Sequence, residues 1–461
     1  MISIRHLKFA YSNSSQPNLV IDHLTINQGE CVVLCGKSGS GKTTFTRLLN
    51  GLIPEYYQGK LEGETMICGM QLGQQSVEEF SQKVASVFQN PATQFFHRKV
   101  EHELVFPCEN LGLAPEEIQE RLARTVAFFE IKNLLTQDLL RTSGGERQCI
   151  ALMTATMQNP NILILDEPSA NLDQLSVMKL KNHLKQLKSM GVTIIIAEHR
   201  LDFLKNLGDT YLYFDNGKIS RIWSRQEWLL LTDSQRQRQG LRGIETIKLF
   251  DRPVKIAQGD LEVSALSLVA GKQRLGHIED IVFPSGAITA LLGKNGIGKS
   301  SFARVLSGLV KANGHIILDN QKISEADRLK ATAYVMQDAC FQLFSDSVKK
   351  ELLLGNSKTK DYREIAKLLD LTNLLERHPV SLSGGEQQRV LIGNALLSDK
   401  KIFIFDEPTS GLDYDHMIAA AKLLEQLKKQ GKIIIVITHD KELINEVCDY
   451  RIDLSECLTK Y

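Results

Sequence analysis

The sequence predicts an α/β fold made twice, as two tandem units each built on a mainly parallel core sheet. Three observations carry this. Long segments recur in order: GKSGSGKT (Gly36–Thr43) returns as GKNGIGKS (Gly293–Ser300), ILILDEPSANLD (Ile162–Asp173) as IFIFDEPTSGLD (Ile402–Asp413), and IIIAEHR (Ile194–Arg200) as IVITHDK (Ile435–Lys441). A repeat of this period is a repeat of whole domains, not of a short solenoid unit. Apolar runs of strand length, such as Ile162–Leu165 and Ile433–Ile437, alternate with helical stretches, as buried parallel strands do. Each copy also carries a strand, a glycine-rich turn and a helix start in succession.

The spacing of the repeat divides the chain. Lys42 and Lys299 lie 257 positions apart, Gln89 and Gln337 248, and the pairs Ser143/Ser383, Asp166/Asp406 and His199/His439 each 240. The second copy is thus shorter ahead of its SGGE segment and then runs in step. The first copy spends the extra residues on GLIPEYYQGKLEGE, expected to be a surface loop carrying Tyr56 and Tyr57. The first unit is expected at 1–222, a linker at 223–258 and the second unit at 259–461. The linker expectation rests on an amphipathic helical stretch from Trp223, then a polar, solvated Gln/Arg run and the breakers Gly240, Gly243 and Pro253.

Composition narrows the function classes. The 461 residues are 43% hydrophobic and 24% charged, enough for sizeable cores. A net charge of +1 excludes a cationic coat for nucleic acid or anionic membrane. No apolar run approaches the roughly 18 residues of a spanning helix, and MISIRHLKFA has no apolar signal core. The eight cysteines form no CxxC or zinc spacing. Cys31 and Cys35 sit roughly 13 Å apart along one strand, too far for a disulfide. Reduced, buried thiols are expected.

The motifs point to a nucleotide. In GxxxxGK[ST], glycines (Gly36, Gly39, Gly41; Gly293, Gly296, Gly298) let backbone N–H groups approach phosphate oxygens, helped by the intervening Ser38, Ser40, Asn295 and Ile297. The helix beginning at Lys42–Thr44 or Lys299–Ser301 adds its positive end. Lys42 and Lys299 supply point charges for phosphates, and Thr43 and Ser300 hydroxyls for Mg²⁺. Asp166 and Asp406 end apolar strands, where a carboxylate can hold Mg²⁺. Glu167 and Glu407 follow, placed to orient or deprotonate a water. Gln89 and Gln337 suit contact with Mg²⁺ or water, and His199 and His439 a γ-phosphate. Ser143, Gly144, Gly145 and Glu146, with Ser383, Gly384, Gly385 and Glu386, start helices that can take further phosphate oxygens; an isolated SGGE would be read as an ordinary N-cap.

This constellation resembles the ATP-binding-cassette (ABC) ATPases over nearly the whole chain. The resemblance implies ATP and Mg²⁺ as cofactors, an antiparallel β part and a helical subdomain in each unit, and two cassettes paired head to tail. It implies one site combining Lys42, Thr43, Gln89, Asp166, Glu167 and His199 with Ser383–Glu386. The other combines Lys299, Ser300, Gln337, Asp406, Glu407 and His439 with Ser143–Glu146. Both sites keep Glu and His, so both are expected to hydrolyse ATP. Two positions depart from the family. Thr142 replaces the usual Leu before SGGE. Tyr11 stands where the family stacks an aromatic on adenine, but its counterpart Val269 is aliphatic, so weaker ATP binding is expected at the second site.

FQNPATQFFHRKVEHEL (Phe88–Leu104) and MQDACFQLFSDSVKKEL (Met336–Leu352) share Gln, a second Gln five on, a hydrophobic–Phe pair and Glu-Leu. This resembles energy-coupling-factor (ECF) and cobalt-type importers. That likeness implies a peripheral motor on the cytoplasmic face of the cell membrane. It also implies a transmembrane T-component docked at Phe95, Phe96, Leu343 and Phe344, and a substrate-binding S-component. Core packing is the competing reading of those four residues. Sugar-type importer ATPases and soluble ribosome-acting ABC proteins are the alternatives; the latter's Asn-His-Leu-Asp segment is absent here.

Overall fold

Short apolar runs form the centre of each unit. The computed structural model describes the chain except residues 171, 246, 250–259, 271, 272, 312, 338, 356–360, 460 and 461. It separates into two units, Met1–Glu245 and Thr246–Tyr461. In the first, Thr210–Asp215, Cys31–Gly36, Thr193–Ala197, Ile162–Asp166 and Val84–Val87 lie side by side in parallel. These strands are apolar without alternation because both faces are covered. Cys31, Val33 and Cys35 enter one core, Val32 and Leu34 the other. The second unit repeats the arrangement with Thr332–Val335, Ile402–Asp406, Ile433–Ile437, Ala287–Leu292 and Tyr450–Asp453. The described cysteines carry free thiols, and burial pushes Cys31 and Cys35 up to about 12.

An antiparallel part accompanies each parallel sheet. Ile2–Tyr11 pairs with Leu19–Ile26 and with Gly59–Ile67. Here the expected surface loop is corrected. From Gly59 on it is strand, part of the nine-residue Gly59–Ile67, against four residues in His315–Leu318 of the second unit. The glycines that suggested a loop serve close strand approach. A Cβ on Gly59 would lie 2.2 Å from the Ala10 carbonyl oxygen, and one on Gly63 2.3 Å from that of His6, beside a β-bulge.

Helices Val100–Asn110 and Pro115–Phe129 in the first unit, and Val348–Leu353 and Tyr362–Leu368 in the second, form the helical part. Among the described residues no helix is long and apolar enough to cross a membrane. The stretch expected as linker is folded over part of its length. Arg225–Leu230 and Asp233–Gln237 are helices, each begun by a capping box, Ser224 with Glu227 and Thr232 with Gln235. Trp228 is fully buried and stacks on Tyr211 at 4.4 Å. The Arg236 guanidinium lies 4.7 Å from its ring and is held by Asp233 at 2.8 Å. The charged run thus hides a buried cation–aromatic pair. Residues 246 and 250–258 of that stretch lie outside the described residues. Trp228→Ala should cost about 3–5 kcal/mol, read as a lower midpoint in urea unfolding; a solvated linker would show no change.

Candidate nucleotide-binding sites

Each site begins where the central strand leaves the sheet. Gly36 has φ 144°, and a Cβ there would sit 2.3 Å from the Phe214 carbonyl oxygen, so only glycine fits the exit. The loop then curls round the lysine. Lys42 Nζ donates to Gly36 O and Lys37 O, both at 2.8 Å; Lys299 Nζ donates to Gly293 O at 2.7 Å and Lys294 O at 3.2 Å. Both ammonium groups are buried. Ser40, also buried, ties the loop to the strand beyond, its carbonyl accepting Gly217 N–H at 2.9 Å.

Acids meet this loop from the neighbouring strand. Thr43 Oγ1 donates to Asp166 Oδ2 at 3.3 Å, and Ser300 Oγ to Asp406 Oδ2 at 2.7 Å. Tyr334 adds a second donor to Asp406 at 3.2 Å; its counterpart Ser86 instead accepts from Asn50. Hydroxyl beside carboxylate is a hard-oxygen pair that fits Mg²⁺. Among the described residues no group of three or more His, Cys, Asp or Glu could hold a metal. Glu167 and Glu407 take φ 47° and 48°, a strained left-handed turn kept in both units.

The sites differ around these glutamates. Gln89 Nε2 donates to Glu167 Oε2 at 2.7 Å, whereas Gln337 is exposed and Glu407 is bonded by Thr438 Oγ1 at 3.0 Å. His199 Nε2 lies 3.7 Å from Glu167 and His439 Nε2 3.9 Å from Glu407. His439 Nε2 is also 3.2 Å from both Lys299 Nζ and Asn295 Oδ1. Burial, then the charges of Asp166 and Glu198, raise Glu167 well above the carboxylate range. Burial and Asp406 push Glu407 up to about 7. Glu198, missed in the sequence reading, is visible there only as an acid beside the histidine.

The remaining expected residues fall as follows. Tyr11 hydroxyl lies 3.2 Å from Thr44 Oγ1 and accepts from Arg47, whose guanidinium also covers Tyr57 at 4.1 Å. Val269 is 38% exposed and offers no ring. Ser143 Oγ accepts Glu146 N–H, and Glu146 carboxylate accepts Ser143 N–H at 2.7 Å; Ser383 and Glu386 repeat this. These glutamates cap their helices, leaving the N-terminal serines and first glycines exposed. A Cβ on Gly145 would meet Ser176 Oγ at 2.8 Å. Thr142 is buried and donates to Leu139 O at 2.7 Å, which accounts for a hydroxyl in place of Leu382.

The segment after Gln89 has a rigid construction, repeated after Gln337. The second glutamine of each motif staples the backbone: Gln94 accepts Phe88 N–H and donates to Ser86 O, both at 3.1 Å. Gln342 does the same for Met336 and Tyr334, at 2.7 and 2.8 Å. Buried Glu103 accepts the N–H groups of Phe96 and His97; buried Glu351 accepts those of Phe344 and Ser345. Phe96 and Phe344 are thereby held outward, 77% and 78% exposed. Of the other two, Phe95 is half-buried against the first unit's core and Leu343 is buried in the second's, the packing that competes with a groove role.

Comparison with known proteins agrees with this geometry. The ABC transporter family matches residues 21–170 and 280–410. A chain of Treponema denticola, provisionally named an ABC transporter ATP-binding protein, is 40% identical over 99% of this chain and 95% of its own. YkoD of Bacillus subtilis, provisionally named an HMP/thiamine import ATP-binding protein, is 30% identical over 97% of this chain and 89% of its own. Among solved structures, ribosome-bound archaeal Pelota and ABCE1 matches with TM-score 0.70 and 23% identity, over 98% of this chain and 76% of that one. At that identity the likeness shows the fold alone.

Glu407 makes stability depend on pH. Its carboxyl sits at about 7 folded against an ordinary 4.5, so the folded chain holds the proton more tightly. Stability is therefore withdrawn as pH rises through this window, by on the order of 3 kcal/mol in full. Glu407→Gln removes the effect. Without nucleotide, its thermal midpoint should rise relative to the parent between pH 4.5 and 7 and the gap should level off above; a constant gap would refute this.

Proposed function

Because the chain belongs to the ABC transporter family, as an ATPase that uses Mg²⁺, we propose that it is the motor of an ECF-type importer. In this reading it sits on the cytoplasmic face of the cell membrane and drives uptake of a micronutrient through separate membrane chains. The observation that carries the reading is the pair Phe96 and Phe344, exposed at matching positions and held there by buried glutamates. Exposed aromatics on a fixed backbone suit an apolar partner helix better than they suit water. The cargo is a vitamin, metal ion or metal complex; the import name carried by YkoD favours a vitamin or its precursor.

Bound ATP supplies the phosphoanhydride that is cleaved, and Mg²⁺ neutralises its phosphates. Lys42 and Lys299 hold phosphate charge within the loop, while Tyr11 offers the first site a ring for the base. Asp166 with Thr43, and Asp406 with Ser300, would hold the metal. Glu167 and Glu407 orient or deprotonate water, a role suited to carboxyls whose affinity for protons is raised by burial. His199 and His439 bridge toward the phosphates. The partner docks at Phe96 and Phe344.

Two measurements check this. Glu167→Gln and Glu407→Gln should each lower ATP hydrolysis, and together by about 10²-fold or more; if one alone abolishes it and the other changes nothing, a single site is active. Phe96→Glu with Phe344→Glu should keep ATP binding and lose a co-purifying multi-spanning membrane protein. Unchanged retention would remove the docking reading, and co-purification with ribosomes would favour the soluble alternative.

A further inference from the structure

The residue before His199 and His439 differs between units: Glu198 in the first, Thr438 in the second. Two positions on, the difference is answered, with Arg200 against Asp440. Glu198 is buried and accepts three backbone N–H groups, from Ser169 at 3.1 Å, His199 at 2.8 Å and Arg200 at 3.0 Å. It ties the histidine segment to the turn after Glu167. In the second unit Asp440 does this, accepting from Thr409 Oγ1 at 2.7 Å, and Thr409 matches Ser169. Its other oxygen caps the next helix.

Moving the acid by two residues leaves position 438 open to a hydroxyl. Thr438 is fully buried, accepts Asp440 N–H at 3.0 Å and donates at 3.0 Å to Glu407 Oε2, which also accepts the longer His439 N–H at 3.3 Å. The N–H occupies a lone pair, so the hydroxyl proton is directed at the carboxylate. An ionised Glu198 has no proton to offer. Glu167 takes its donor instead from Gln89.

We propose that Thr438 is the positioning residue for Glu407, and that in the first unit this task has passed to Gln89. The carboxylate of the second site is then set by the core beside its own histidine. That of the first is set by the segment that carries Phe96, so movement of that segment alters hydrolysis at the first site selectively. This rests on the two glutamates being the water-orienting groups.

The test uses the full chain and single-turnover hydrolysis. With the first site silenced by Glu167→Gln, Thr438→Val should lower the rate about 10- to 100-fold, as expected for a hydrogen bond to a charged group. The KM for ATP and the binding of trinitrophenyl-ATP should stay within about twofold, and Thr438→Ser should restore the rate. With the second site silenced by Glu407→Gln, Gln89→Leu should produce the same fall. A loss under about twofold in Thr438→Val, a parallel loss of ATP affinity, or no rescue by serine would overturn the proposal. If Glu407→Gln in the Glu167→Gln chain leaves hydrolysis intact, the reading of Glu407 itself fails, and the proposal with it.

Discussion

Each unit is organised around a charge that its own core makes expensive. Asp166 and Asp406 end strands whose other residues are wholly apolar, and the next residue is a second acid. Two adjacent carboxylates at the edge of a low-dielectric sheet repel each other and lose hydration. The buried ammonium of Lys42 or Lys299 offsets part of this, and burial still dominates, holding Asp166 and Asp406 above the usual carboxylate range. The site is therefore short of positive charge, which Mg²⁺ bound with ATP would supply. The glycine-rich loop, the left-handed glutamate and the hydroxyls of Thr43 and Ser300 all serve to bring these charges together.

The same economy of buried polar groups shapes the surface expected to meet a partner. Glu103 and Glu351 are nearly inaccessible acids, yet each is met by two backbone N–H groups. Charge-assisted bonds of this kind are strong when water is excluded. They make the turns rigid and aim Phe96 and Phe344 outward. One segment thus carries both Gln89, which bonds Glu167, and the exposed Phe96. That places the chemistry and the candidate docking surface on a single short stretch of backbone in the first unit.

Where the sequence misled, the reason was local ambiguity. Gly59 and Gly63 read as loop residues because glycine marks turns, but here they admit neighbouring backbone within one sheet. The Gln/Arg run is expected to be solvated because its charges dominate composition, but Arg236 within it is buried against Trp228. In the Phe95–Phe96 and Leu343–Phe344 pairs, Glu103 and Glu351 hold the turn so that the second residue faces outward, and sequence alone does not say which of the two will.

The recurrence of motifs at matched spacing determined the doubled α/β fold, the glycine-rich phosphate loops and the acid pairs, because glycine, lysine and paired carboxylates are constrained one by one by the chemistry they perform. Only the tertiary structure decided which donor holds each glutamate. Gln89 and Glu167 are 78 residues apart, and Thr438 reaches Glu407 from the neighbouring strand end, 31 residues on. Hydrogen bonds depend on where strand ends meet in space, and the sheet order that brings them together is set by packing of both its faces.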